Sequence, residues 1–146
     1  MTPLSKHFTV EELTASQTAV RKGIDNTPSL EVLANLKRVA AMLEQVREVV
    51  DGPIQVSSGY RSVALNKAVG GAADSAHVRG LAADITAPGW EARALARKIL
   101  GAGIKFDQLI YEGTWVHIGL SEDALRQQAL TATFTNGRAS YSDGIA

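Results

Sequence analysis

The chain contains no cysteine. Disulfides and zinc–thiolate clusters are therefore excluded as staples, and any metal must be held by His, Asp or Glu. An excess of either charge is also missing: fifteen Lys and Arg balance fifteen Asp and Glu over 146 residues. That balance argues against a nucleic-acid partner held mainly through phosphates, and leaves a local basic patch as the only route. No apolar run approaches the roughly 20 residues that cross a bilayer, so no transmembrane segment is expected. The opening MTPLSKHFTV lacks the charged start and apolar stretch of a signal peptide, which predicts synthesis in the cytoplasm. No repeat and no low-complexity linker divide the chain, and its length suits one domain over residues 1–146. A hydrophobic content of 45% is enough for a real core.

The periodicity predicts the elements. FTVEEL places Thr9 three residues before Glu12, the spacing of a capping box that opens a short helix. A long helix follows, with Thr27 as N-cap and Pro28 at its first position. Its apolar stripe reads Leu30, Leu33, Leu36, Ala40, Leu43 and Val46, and Gly52–Pro53 stops it. PIQVSS alternates as a short strand, YRSVALNKAVGG forms a brief helix, and LAADIT is a second strand. PGWEARALARKILGAG is another helix. Asp107–Tyr111 and Trp115–Leu120 read as strands around a turn at Gly113, and Asn136–Gly137 bends a final hairpin. Helices early and strands late predict an α+β fold: a small, mainly antiparallel sheet with helices packed on it.

Three histidines are available for chemistry. His7, beside Phe8, reads as a surface or staple residue. His77 stands in SAHVRGLAAD, a stretch of small residues; on its own it reads as a loop histidine bonded to a carbonyl. Asp84 interrupts the apolar strand LAADIT, where a carboxylate needs a cation or several donors; it could equally cap the turn before Pro88. In TWVHIGL, alternation sends Val116 and Ile118 to the core and leaves His117 on the other face with Trp115 and Gly119. Two His and one Asp form a three-ligand zinc set that leaves a fourth position for water. Zinc lowers the pKa of such a water toward roughly 7, which suits hydrolysis. A turn at Gly80 lets His77 and Asp84 approach one ion, and Ala82 and Ala83 do not obstruct it.

SSGYRS, NKAVGGAADSAHVRGLAAD and WVHIGL together resemble the zinc D-Ala-D-Ala carboxypeptidases and their relatives, which include D-Ala-D-Ala dipeptidases and phage L-Ala-D-Glu endolysins. The shared pattern is S-x-H-x-x-G-x-A-x-D followed later by a histidine in a W-x-H strand. Ser75, His77, Gly80, Ala82, Asp84 and His117 supply it in order, and the likeness runs from about Phe8 to Leu120. The resemblance implies one Zn²⁺ on His77, Asp84 and His117, with Arg61 near the substrate. It also implies a hedgehog-like fold and a peptidoglycan peptide as substrate. A guanidinium at Arg61 can hold a carboxylate or steady an oxyanion. Ser75 reads either as a donor to substrate or as a turn hydroxyl bonding local backbone.

One position departs from the pattern. Several relatives carry an acid three residues before the last zinc histidine, as general base. Here that residue is Thr114. Glu112, across the turn, is the candidate base, with Asp107 in reserve. Compact members of this kind are often phage or prophage proteins, which implies a lysis enzyme needing a partner to reach the wall, or a virion component. Hedgehog-type domains share the fold and the zinc site, so a non-catalytic zinc-binding or phage structural domain is the alternative. The residues leave open whether a terminal D-Ala or an internal bond is cut, and assign no oligomeric state.

Overall fold

The structure is a computed structural model that describes residues 1–146. Its first helix, α1 (Val10–Thr14), begins where Thr9 accepts a hydrogen bond from the Glu12 amide at 3.1 Å. The reciprocal half of the capping box is not made; the neighbouring Glu11 accepts instead from the Thr2 amide at 2.7 Å. A second helix, α2 (Gln17–Lys22), capped by Ser16, was not expected from the pattern.

The long helix α3 runs over Leu30–Val50 and is capped by Ser29 rather than Thr27. The reason is local competition. Thr27 donates both its amide and its hydroxyl to Asp25 Oδ1, at 2.9 and 2.6 Å, so its oxygen serves an upstream turn. Pro28 therefore precedes the cap instead of following it. The buried stripe also starts later than expected: Leu36, Val39, Ala40, Met42, Leu43, Val46 and Val50 are buried, whereas Leu30 is 86% exposed. Within the first turn only Val32 packs partly against the core.

The strands are β1 (Gln55–Ser58), β2 (Ala82–Thr86), β3 (Gln108–Tyr111), β4 (Val116–Gly119), β5 (Gln128–Thr135) and β6 (Arg138–Asp143). Helices α4 (Val63–Ala68) and α5 (Ala92–Gly101) lie between them, with a 3₁₀ turn at Ala76–Arg79 before β2. One six-stranded sheet takes the order β1-β2-β4-β3-β5-β6. Every pairing is antiparallel except β3–β5. The fold is thus α+β, as the pattern of early helices and late strands implies. At the last bend Asn136 and Gly137 both adopt positive φ, 52° and 76°, as a two-residue hairpin turn requires.

Strand alternation divides the sheet into two working faces. Ile85, Val116, Ile118 and Leu109 point to the side covered by α3 and α5, where a core of 23 buried residues gathers. Asp84, His117, Ile110 and Leu130 stand in register on the opposite face, one on each of β2, β4, β3 and β5. The core residue Leu36 packs under the loop that leads to this face: a Cβ on Gly80 would lie 3.4 Å from its Cγ. Leu36→Ala should lower unfolding free energy by about 2–5 kcal/mol through the cavity it leaves. A fall in urea midpoint with unchanged slope checks this; an unshifted midpoint refutes it.

Candidate metal centre

The antiparallel partnership of β2 and β4 sets Asp84 directly opposite His117. The 3₁₀ turn then brings His77 over the same spot. That turn ends at Gly80 in the left-handed region, φ 70°, and a Cβ there would meet Val32 Cγ1 at 2.8 Å, so no other residue fits without displacement. Asp84 Oδ1 lies 3.2 Å from His77 Nε2 and 3.1 Å from His117 Nδ1. One ligand atom from each of the three residues falls within 4.8 Å of the others. Ligands bound at about 2.0–2.1 Å to a tetrahedral zinc stand roughly 3.3 Å apart, which matches these spacings.

The donor chemistry supports a cation. His77 Nδ1 sits 2.7 Å from the carbonyl oxygen of Gly59, which can only accept, so Nδ1 carries the proton. In the neutral ring Nε2 then offers a lone pair, and it faces a carboxylate oxygen that also offers lone pairs. Two acceptors at this distance need a positive charge between them, supplied by a proton or by a metal ion. The carbonyl-bonded histidine and the metal-ligand histidine are therefore one arrangement. Gly59 can come this close because it has no side chain: a Cβ would collide with the Leu13 carbonyl oxygen. Burial opposes ionisation of Asp84, but hydrogen bonding to His117 and His77 and their charge outweigh it, holding the carboxyl well below its usual range.

Glu112, just past β3, lines the same cleft as the three ligands. The turn at Gly113, φ 88°, folds the chain so that the Trp115 indole N–H donates to Glu112 Oε2 at 2.6 Å. Burial raises the pKa of Glu112, and the negative charge of Asp84 adds to it; His117 and the indole pull the other way. The carboxyl thus holds a proton more readily than a surface glutamate does. Thr114 is exposed at the tip of the turn. The Trp115 contact positions Glu112 and was not anticipated from the sequence; the three-residue spacing of the pair across a glycine turn was the available signal.

Arg61 lines the same cleft as the ligands and Glu112. Its backbone amide donates to the His77 carbonyl at 3.0 Å, and its side chain reaches Ser75 Oγ at 3.4 Å. Its Nε is buried without a partner. Burial lowers the guanidinium pKa, with Asp84 and Glu112 acting in the opposite direction; the group stays cationic at any physiological pH. Ser75 also accepts from the His77 amide at 3.2 Å, so its hydroxyl caps the turn that carries the ligand. Ser75 therefore bonds local backbone and also borders the cleft.

Two residues fall outside the site. His7 pairs with Glu44 at 2.6 Å on the surface and makes no staple. Asp107 borders the cleft, but both its oxygens are taken: Arg126 Nε and its amide donate to Oδ1 at 3.0 Å, and Nη2 to Oδ2 at 2.8 Å. The reserve base is thus a tether for the segment between β4 and β5.

A helix-backed sheet with two imidazoles and a carboxylate converging on its open face has the build of a metal-dependent hydrolase. The Peptidase M15 family model matches residues 6–119, and the chain belongs to that family. M15 peptidases are zinc-dependent, and His77, Asp84 and His117 are a group able to hold that ion. No curated protein sequence matches the chain.

Replacing His77, Asp84 or His117 with Ala should abolish retention of zinc after dialysis, read as metal per chain by mass spectrometry. Retention of one zinc by any of the three would refute the ligand set. For Asp107, the Arg126 hydrogen bonds lower the pKa below its ordinary 3.8. A depressed folded-state pKa adds stability that is present above the unfolded value and is lost as pH falls through the folded one. The urea-midpoint gap between wild type and Asp107→Asn should therefore be open at pH 6 and close on acidification below the ordinary aspartate range. A gap constant with pH would count against the ion pair.

Proposed function

We propose that this protein is a zinc peptidase that cuts peptidoglycan stem peptides. The observation that carries the proposal is the cleft itself. It holds a ligand set for one metal together with a half-buried glutamate of raised pKa and a half-buried arginine. His77, Asp84 and His117 hold the ion, which when bound supplies the Lewis acidity that makes water a competent nucleophile near neutral pH.

The residues of the chain do the rest. Glu112 accepts a proton as water attacks the scissile carbonyl carbon, and a C–O bond forms. The C–N bond then breaks, and Glu112 delivers that proton to the departing nitrogen. The products are a carboxylic acid and an amine, with one water consumed. Arg61 offers its guanidinium to an oxygen of the substrate, either a carboxylate or the oxygen on which charge develops. Trp115 keeps Glu112 turned toward the ligands. Ser75 holds the turn bearing His77 and borders the bound peptide.

The cleft measures about 980 Å³ and holds Arg61, Ser75, Glu112 and the three ligands. Removal of a terminal D-Ala and an internal cut, as in an endolysin, both fall within this reading. The resemblance to compact phage and prophage members supports action on the wall after release with a lysis partner, or from within a virion. A second reading, a zinc domain without turnover, is favoured by Thr114, which stands where relatives carry their base.

Glu112→Gln should retain one zinc and lower the rate of hydrolysis by about 10²–10⁴-fold. Fragments of digested peptidoglycan, identified by mass spectrometry, report both activity and the bond cut. Wild-type rates for Glu112→Gln would remove Glu112 from the mechanism. No fragments from zinc-loaded wild type, with the metal only raising Tm, would establish the non-catalytic reading.

A further inference from the structure

The C-terminal hairpin lies beyond the residues that match the family model, which end at 119. β5 pairs with β3 only from Gln128 to Thr131. Past that point the hairpin strands pair only with each other, from Ala132↔Tyr141 to Thr135↔Arg138. At about 3.3 Å per residue, residues 132–135 project roughly 13 Å past the end of β3. A two-stranded ribbon of this kind gains little stability by itself. It nevertheless exposes two large aromatic rings, Phe134 at 54% and Tyr141 at 55%.

Strand alternation puts both rings on the face that carries the ligands. The row Asp84, His117, Ile110, Leu130 crosses four strands in register, and Phe134 and Tyr141 share the Leu130 side of the hairpin. Leu130, Phe134 and Tyr141 line the same cleft as the three metal ligands. The residue directly opposite each ring is an alanine, Ala139 for Phe134 and Ala132 for Tyr141, too short to cover it.

We propose that this face of the hairpin is a saccharide-binding wall, which stacks on pyranose rings of the glycan that bears the stem peptide. The proposal rests on the peptidoglycan reading above. An aromatic face is negative at its centre and attracts the polarised C–H groups on the flat side of a sugar. A second copy of the chain is a poorer occupant. A stable interface needs about 800 Å² per partner, whereas two half-exposed rings present roughly 200 Å². An apolar peptide side chain is poorer too, because it calls for an enclosed pocket rather than open rings on a projecting ribbon.

The test compares wild type with Phe134→Ala/Tyr141→Ala on three materials: glycan strands stripped of peptide, sugar-free stem peptide, and intact peptidoglycan. The double variant should keep one zinc, bind peptide-free glycan roughly tenfold more weakly, and cut sugar-free peptide at the wild-type rate. It should cut intact peptidoglycan more slowly, with the loss in KM. Equal binding of peptide-free glycan by both proteins would overturn the proposal. So would an equal loss on sugar-free peptide, which would give the rings to the peptide, or a wild-type dimer that the substitutions dissolve. Wild type that binds glycan through these rings yet cuts nothing would leave the wall standing and end the hydrolase reading. Should the double variant fold poorly, chemical-shift changes at residues 132–141 of wild type with N-acetylglucosamine oligomers decide the same point, and their absence overturns it.

Discussion

The site depends on one carboxylate oxygen held between two imidazoles. Asp84 Oδ1 meets His77 Nε2 and His117 Nδ1 at 3.2 and 3.1 Å. Three separate features of the fold converge to make this contact. Antiparallel pairing places His117 across from Asp84. A left-handed glycine ends the turn that carries His77. The Gly59 carbonyl orients the His77 ring from behind. A carboxylate this deep is costly without positive charge beside it. The cluster therefore calls for a bound cation, and the helix-packed far side of the sheet holds its strands in place.

Around that centre, charge and desolvation are arranged with opposite effects on two side chains. Glu112 and Arg61 both sit half-buried near Asp84. Its negative charge raises the glutamate pKa and supports the cationic form of the arginine. One cleft thus contains a carboxyl inclined to take a proton and a cation, together with the ligand group. Asp107, also acidic and nearby, is held by Arg126. The difference between the two acids lies in their partners, an indole for one and a guanidinium for the other.

Much of the fold could be read along the chain because strands and helices carry their own periods. The two-residue spacing of Val116 and Ile118 sent His117 to the opposite face, and the register bears this out. Local competition hid other features. Ser29, not Thr27, caps α3 because Asp25 already holds Thr27. Leu30 satisfies the helical period but faces solvent, since periodicity marks a stripe without marking where its packing partner ends. The helix α2 is short and was masked by its polar composition.

Residue type and local spacing by themselves determined which groups could ligate a metal, that no thiol could, and that His117 would leave the core face. Those properties are set within a few residues of backbone. Tertiary structure alone decided that Gly59 would orient His77 and that Asp107 would be spent on Arg126. It also decided that the terminal hairpin would extend the ligand-bearing face with two uncovered rings. Each of these depends on contacts between segments distant along the chain, and the energy of such a contact exists only once packing has closed the distance between them.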